Sequence, residues 1–184
     1  RHFLDSLAPL AYSPLGTAPP GATLIDVGSG AGFPGLPLKI ARPDLAVTLL
    51  DASEKRVAFL AETARALGLE AGCVHARAEE YALRNLDVFD FAVSRAVADL
   101  RELTELCLPF VRTGGAFLAM KSQSSDDEIT AAANAIATLG GALEAVSDYA
   151  LPDGTPRRIA VIRKQSATPE GYPRKYKKIS TKPL

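Results

Sequence analysis

The stretch Leu24 to Gly35, LIDVGSGAGFPG, constrains this chain more than any other. Leu24, Ile25 and Val27 read as the end of a buried strand, with Asp26 just before a turn. Gly28, Gly30 and Gly32 supply a backbone that can bend sharply and lie close to a ligand, because glycine has no Cβ. Phe33-Pro34-Gly35-Leu36 opens a helix, where the missing N–H of a proline costs little. Strand, glycine turn and helix make the first crossover of an open α/β sheet, and ligands bind at that point. Three alternating glycines followed by Asp51 exceed what a tight turn without a ligand needs.

The chain has 184 residues, of which 47% are hydrophobic, enough for one domain with a sizeable core. Formal net charge is zero, so bulk charge does not announce a polyanionic partner. Cys73 and Cys107 give neither a disulfide framework nor metal-ligand spacing, and with only two histidines no metal site is expected. The sequence has no long apolar run and no visible signal peptide, which places the expected protein in the cytoplasm, away from membranes. It begins at Arg1 without an initiator methionine, so the natural N-terminus is expected upstream.

Phe3, Leu4, Leu7 and Leu10 lie at helical spacing, which leaves His2 and Asp5 on a solvated face. Prolines and glycines make Tyr12 to Gly21 a loop. Strands are expected at Ala22–Val27, Val47–Leu50, Ala71–His75, Val88–Val93 and Ala116–Met120, separated by helical segments. Ser53 is placed to cap one helix, and Ser125 or Asp126 to start another that runs to Leu139. Leu143–Leu151 and Arg158–Arg163, joined by a turn-rich Pro152-Asp153-Gly154-Thr155-Pro156, form a hairpin. Ser94-Arg95-Ala96 ends the fourth strand, facing the ligand crevice.

From Arg163 onward the composition changes. Arg163, Lys164, Arg174, Lys175, Lys177, Lys178 and Lys182 are set against Glu170 alone, with Tyr172 and Tyr176 interleaved. Basic residues mixed with aromatics suit phosphate contacts and base stacking. A disordered solubilising tail is the alternative.

The glycine turn admits two ligand types. Gly30-x-Gly32-x-x-Gly35, with Asp51 about twenty residues on, satisfies the dinucleotide fingerprint. Started earlier, Asp26-Val27-Gly28-Ser29-Gly30-Ala31-Gly32 resembles the first motif of S-adenosylmethionine (SAM) methyltransferases. Asp26 near a pyrophosphate is unfavourable, whereas a sulfonium and an ammonium welcome a carboxylate. An oxidoreductase would also need a catalytic domain that this length hardly accommodates. A small-molecule methyltransferase and a non-catalytic RNA-binding module with a relic turn are the other readings.

HFLDSL, LIDVGSGAGFPGLPLKIARPD, TLLDASEKRVAFL, HARAEEY, FDFAVSRAVADL and the terminal YPRK…KPL together resemble one family. It is glucose-inhibited division protein B, also called RsmG, a bacterial SAM-dependent enzyme that methylates guanine N7 at position 527 of 16S ribosomal RNA. The resemblance implies the class I SAM-dependent methyltransferase fold, Rossmann-like, with a mostly parallel seven-stranded sheet and a C-terminal antiparallel hairpin. Residues 1–164 are then the methyltransferase domain, with an N-terminal helical part missing, and residues 165–184 a basic tail. The cofactor site implied is Gly28, Gly30, Gly32 and Phe33 in the turn, Asp51 on the ribose, Ala78 and Glu79 beside the adenine, and Arg95. RNA contacts are expected from Lys121, Arg157, Arg158, Arg174 and Lys175. The expected protein is a monomer that meets 16S rRNA in the 30S subunit. In place of the family's usual glycine after Lys121 stands Ser122, and Lys175-Tyr176-Lys177-Lys178 replaces a Pro-Gly break.

Guanine N7 carries a free lone pair at neutral pH, so no general base is expected. Arg95 is the best candidate for positioning. It would contact the SAM carboxylate, a phosphate or O6 alone, because the usual two-point grip on O6 and N7 would block the attacking atom.

Overall fold

The computed structural model describes residues 1–95, 98–122 and 125–184. Ala96 of the Ser94-Arg95-Ala96 segment lies outside them. In chain order the elements are α1 (His2–Tyr12), β1 (Thr23–Val27), α2 (Gly35–Ala41), β2 (Ala46–Asp51), α3 (Glu54–Ala66), β3 (Ala71–His75), α4 (Ala78–Ala82) and β4 (Phe89–Arg95). They continue as α5 (Leu100–Cys107), β5 (Val111–Ser122), α6 (Asp126–Ala131), α7 (Ala133–Thr138), β6 (Gly141–Ala150), β7 (Pro156–Lys164) and α8 (Tyr176–Thr181).

The seven strands form one sheet in the order β3-β2-β1-β4-β5-β7-β6. β1 to β5 are parallel, and β7 runs antiparallel to both β5 and β6. The chain winds from β1 outward to β3, then returns to lay β4 on the other side of β1. That reversal opens a crevice at the carboxyl ends of β1 and β4, where ligands bind in sheets of this kind.

β1 is apolar along most of its length because both of its faces are covered. Leu24 belongs to the core shared with Leu36, Leu49, Leu60 and Leu118. Its neighbour Ile25 belongs to the opposite core, with Leu103, Phe110, Phe117 and Ile179. The two-residue period of a strand makes that division.

Three details differ from the sequence expectation. The ladder between β4 and β5 jumps from Phe89–Val111 to Phe91–Ala116, so Gly114-Gly115 bulge within a β5 longer than the expected Ala116–Met120. The helix expected to reach Leu139 is two short helices, parted at Ala132, whose N–H is shared among the carbonyls of Glu128, Ile129 and Thr130. Ser53 precedes α3 but its side chain makes no cap bond; its N–H instead donates to Asp51 Oδ1 at 2.9 Å.

The last twenty residues pack on the body of the domain. Arg174 clasps Glu105, with Nε and Nη2 at 2.8 and 2.6 Å from the carboxylate and its own N–H at 2.8 Å. Glu105 is fully buried, as is Ile179 of α8. Lys164 is also buried, its Nζ donating to Leu108 O and Thr168 Oγ1 beside Asp87. Removing one partner of a buried ion pair strands the other charge, which costs about 3–5 kcal/mol. Arg174→Ala is therefore expected to lose that much in urea unfolding. A second change, Glu105→Leu, should restore most of it. A single-variant loss below about 0.5 kcal/mol, the range of a surface change, would contradict this docking.

Candidate active site

One cavity opens at the glycine turn and another at Arg95, whose guanidinium faces the Phe33 ring. The first, about 500 Å³, has Gly28, Asp51, Ala78 and Glu79 on its wall, with Leu103, Leu106 and Tyr176 opposite. The second, about 320 Å³, is lined by Asp5, Arg95, Lys121, Tyr149 and Arg157 beside His2.

The turn is built from backbone bonds. The N–H groups of Gly28 and Ser29 both donate to Leu50 O, and those of Gly32 and Phe33 to Ser29 O. Gly30 adopts φ +58, a region that suits glycine, and a Cβ there would meet nothing nearer than Gly28 O at 3.9 Å. Its N–H donates to Asp51 Oδ2 at 3.0 Å, so the acid ending β2 is tied to the turn after β1. Asp51 is 5% exposed, with both oxygens oriented by backbone donors and Arg56 3.6 Å away. A carboxylate has about four lone-pair sites, so two such bonds leave capacity for a ligand's hydroxyl groups.

Asp26 anchors the other end of the turn. Its Oδ2 accepts from the Gly35 N–H at 2.9 Å, and a Cβ on Gly35 would sit 2.8 Å from that oxygen and 2.3 Å from Leu49 Cδ2. Position 35 therefore needs glycine for close approach rather than for its φ. Asp26 is fully buried, and among the described residues its Oδ1 finds no partner. Burial lifts its carboxyl to about 7, against an ordinary 3.8, with the Gly35 N–H pulling the other way. The sign follows from proton linkage. Between these two values the folded chain holds a proton that the unfolded chain has released, so stability falls as pH rises through that window. Asp26→Asn cannot ionise. Melting both proteins from pH 5 to 8 should show the parent losing ground to the variant as pH approaches 7; parallel curves would refute the burial argument.

The sequence-derived cofactor residues separate into groups. Gly28, Asp51, Ala78 and Glu79 meet at the first cavity. Glu79 is buried and held by Arg77 Nε at 2.7 Å, and the Arg77 guanidinium lies 4.5 Å from the Tyr176 ring. Gly30 and Gly32 shape the turn. Phe33 borders the other side, with the Arg95 guanidinium 5.4 Å from its ring and His2 at 6.1 Å. Arg95 thus lines the second cavity rather than the first.

The RNA candidates also divide. Lys121 is buried against Ala98 O and Glu128. Arg158 spends its guanidinium on Asp148 and Asp126, as Arg174 does on Glu105. Arg157 reaches the second cavity, 3.7 Å from Asp5. Lys175 is exposed, and shares a cavity of about 540 Å³ with Lys177 and Lys178.

Helical spacing placed Asp5 on a solvated face, and this is wrong. Asp5 is 5% exposed, because Tyr149 of β6, Arg95 of β4 and Arg157 of β7 converge on it. Nothing local in HFLDSL predicts that, since all three partners are remote in sequence. Tyr176 was read as an RNA-stacking residue, and its place in the first cavity's wall was equally invisible.

A sheet of this order, with its closing antiparallel hairpin and a glycine turn at the reversal, defines a class I SAM-dependent methyltransferase. Solved structures agree on the fold. An rRNA methylase from Streptococcus thermophilus aligns over 90% of this chain and 98% of its own at a TM-score of 0.63 and 15% identity. TYW2 of M. jannaschii, in complex with AdoMet, aligns over 89% and 77% at a TM-score of 0.67 and 13% identity.

Sequence comparison narrows the class. The family described as GidB, rRNA small subunit methyltransferase G, matches residues 1–153. The ribosomal RNA small subunit methyltransferase G of Levilactobacillus brevis is 47% identical over 190 residues, spanning 100% of this chain and 78% of the relative. That of Clostridium botulinum (strain ATCC 19397 / Type A) is 43% identical over 188 residues, spanning 100% and 77%. The chain belongs to the GidB family of small-subunit rRNA methyltransferases.

Proposed function

We propose that this protein transfers the methyl group of SAM to N7 of the guanine at position 527 of 16S rRNA, in the 30S subunit and in the cytoplasm. The supporting observation is the family match across residues 1–153. It takes in the whole glycine turn and the described walls of both cavities, apart from Arg157 and Tyr176.

SAM fits the first cavity. Asp51 is preset to accept from the ribose hydroxyls, and the apolar pair Leu103 and Leu106 offers a surface for the adenine. Ala78 and Glu79 stand at the adenine side. The turn at Gly28 and Gly30 brings backbone close without side-chain obstruction. When bound, SAM supplies a methyl group on a positively charged sulfur, open to in-line displacement by a nucleophile.

Guanine N7 needs no deprotonation, so what this chain contributes is placement. Held geometry can supply roughly 7–11 kcal/mol of barrier reduction. The glycine turn walls the first cavity at Gly28, and Phe33 at its far end meets Arg95 and His2 of the second, so the turn sets the distance between donor and acceptor. Residues 1–164 carry this transferase core. Residues 165–184 close its flank through Tyr176 and present Lys175, Lys177 and Lys178 to the RNA backbone. The target is an accessible loop rather than a duplex, since the deep major groove of an RNA helix hides N7.

Labelled SAM with small subunits lacking the modification tests this assignment. The label is expected on one guanine of the 16S rRNA, and none transferred would refute it. Replacing Lys175, Lys177 and Lys178 together by Ala should weaken RNA binding. The slope of log affinity against log salt should become shallower by about 2, following release of counterions from single-stranded RNA. An unchanged slope would remove the tail from the RNA interface.

A further inference from the structure

The second cavity is separate from the one assigned to SAM, and a single carboxylate sits among its basic groups. Among the described residues that line it, Asp5 is the sole acid, facing Arg95, Lys121 and Arg157. Its two oxygens are held differently. Oδ1 accepts a short bond, 2.7 Å, from the Tyr149 hydroxyl. Among the described residues Oδ2 is met by longer contacts, 3.4 Å to Arg95 Nη1 and 3.7 Å to Arg157 Nε. Hydrogen bonds to carboxylates from charged donors normally close to about 2.7–2.9 Å. A buried carboxylate is thus anchored on one side and loosely engaged on the other, facing a space of about 320 Å³ beside Phe33.

We propose that Asp5 selects guanine, its carboxylate accepting from N1–H and the N2 amino group of the target base in this cavity. The inference rests on the guanine-N7 assignment above and adds the group that recognises the base. Enzymes that modify a base commonly take it out of its stack and read its Watson–Crick edge with hydrogen bonds. Guanine presents two adjacent donors on that edge, and a carboxylate is acceptor-only when ionised. Adenine presents a bare N1 there, which would set a lone pair against the carboxylate. Gripping that edge also leaves the imidazole edge, with N7, open for attack. It removes the difficulty with Arg95 as well, because Arg95 need not grasp O6 and N7 together. Arg95 and Arg157 flank the carboxylate and stand ready for O6 or a phosphate.

A structural ion pair tying α1 to the sheet would use the same contacts, so the test must read base identity. Methyl transfer is measured on small subunits reconstituted with guanine or with inosine, which lacks the N2 amino group, at the modified position. The parent protein is expected to prefer guanine by about tenfold or more, since sites built to pair a polar group reject analogues lacking it. Asp5→Asn sets an amide N–H against N1–H. It should lower kcat/KM on guanine by about 100-fold, bring the guanine-to-inosine ratio toward one, and leave the affinity for S-adenosylhomocysteine within about twofold. If Asp5→Asn fails to fold, Tyr149→Phe unties Oδ1 without removing charge, and the ratio should fall several-fold. A ratio unchanged from the parent in the folded variant overturns the proposal, as does a parent that treats the two bases alike. A parent that binds S-adenosylhomocysteine yet methylates no guanine-bearing subunit would instead refute the functional assignment beneath it.

Discussion

Asp26 accepting the Gly35 N–H inside a dry core is the interaction on which this structure hangs. It joins the end of β1 to the start of α2, and so closes the glycine turn between them. A buried carboxylate is expensive, and burial opposes its charge. The expense is tolerated because Gly35 brings α2 so close that no larger residue fits. Asp51 repeats the device from the neighbouring strand, fastening Gly30. The turn is therefore held at both ends by acids from adjacent parallel strands, which fixes the wall of the first cavity at Gly28.

Methyl transfer to a lone pair requires fixed placement. With no proton to remove, a pair of cavities in fixed register does most of what side-chain chemistry does elsewhere. The first cavity is mainly apolar with a few fixed polar groups, as small-molecule sites are. The other side is crowded with charge around Asp5. The tail spans both concerns, since α8 lends Tyr176 to the first cavity while Lys175, Lys177 and Lys178 stay exposed. Arg174 on Glu105 fixes the tail in that position.

Charge count alone misread the tail. Of the basic residues that enrich it, Lys164 is buried beside Asp87, Arg163 grips Glu144 and Arg174 grips Glu105. Arg158, counted among the RNA candidates, is likewise taken by Asp148 and Asp126. A sequence lists charges without saying which find partners across the sheet. What remains exposed is a compact lysine group, smaller than the composition implies.

Sequence alone determined what depends on neighbours along the chain. The alternation of apolar strands with helices, the acid before three spaced glycines and Asp51 at the end of the next strand were enough for the sheet, its crossover and the turn at Gly28, while the family resemblance added Ala78 and Glu79, which share the first cavity's wall with Gly28 and Asp51. Those signals are local, because a turn's φ values and a strand's two-residue period are set by nearby residues. Tertiary structure alone decided that Asp5 is buried, that Arg95 stands with Tyr149 and Arg157 rather than with Gly28, and that Tyr176 walls the first cavity. Each joins residues scores of positions apart, on elements that meet only once the hairpin and tail have folded back. Periodicity can place a side chain on one face of its own helix, but only the assembled sheet supplies what that face meets.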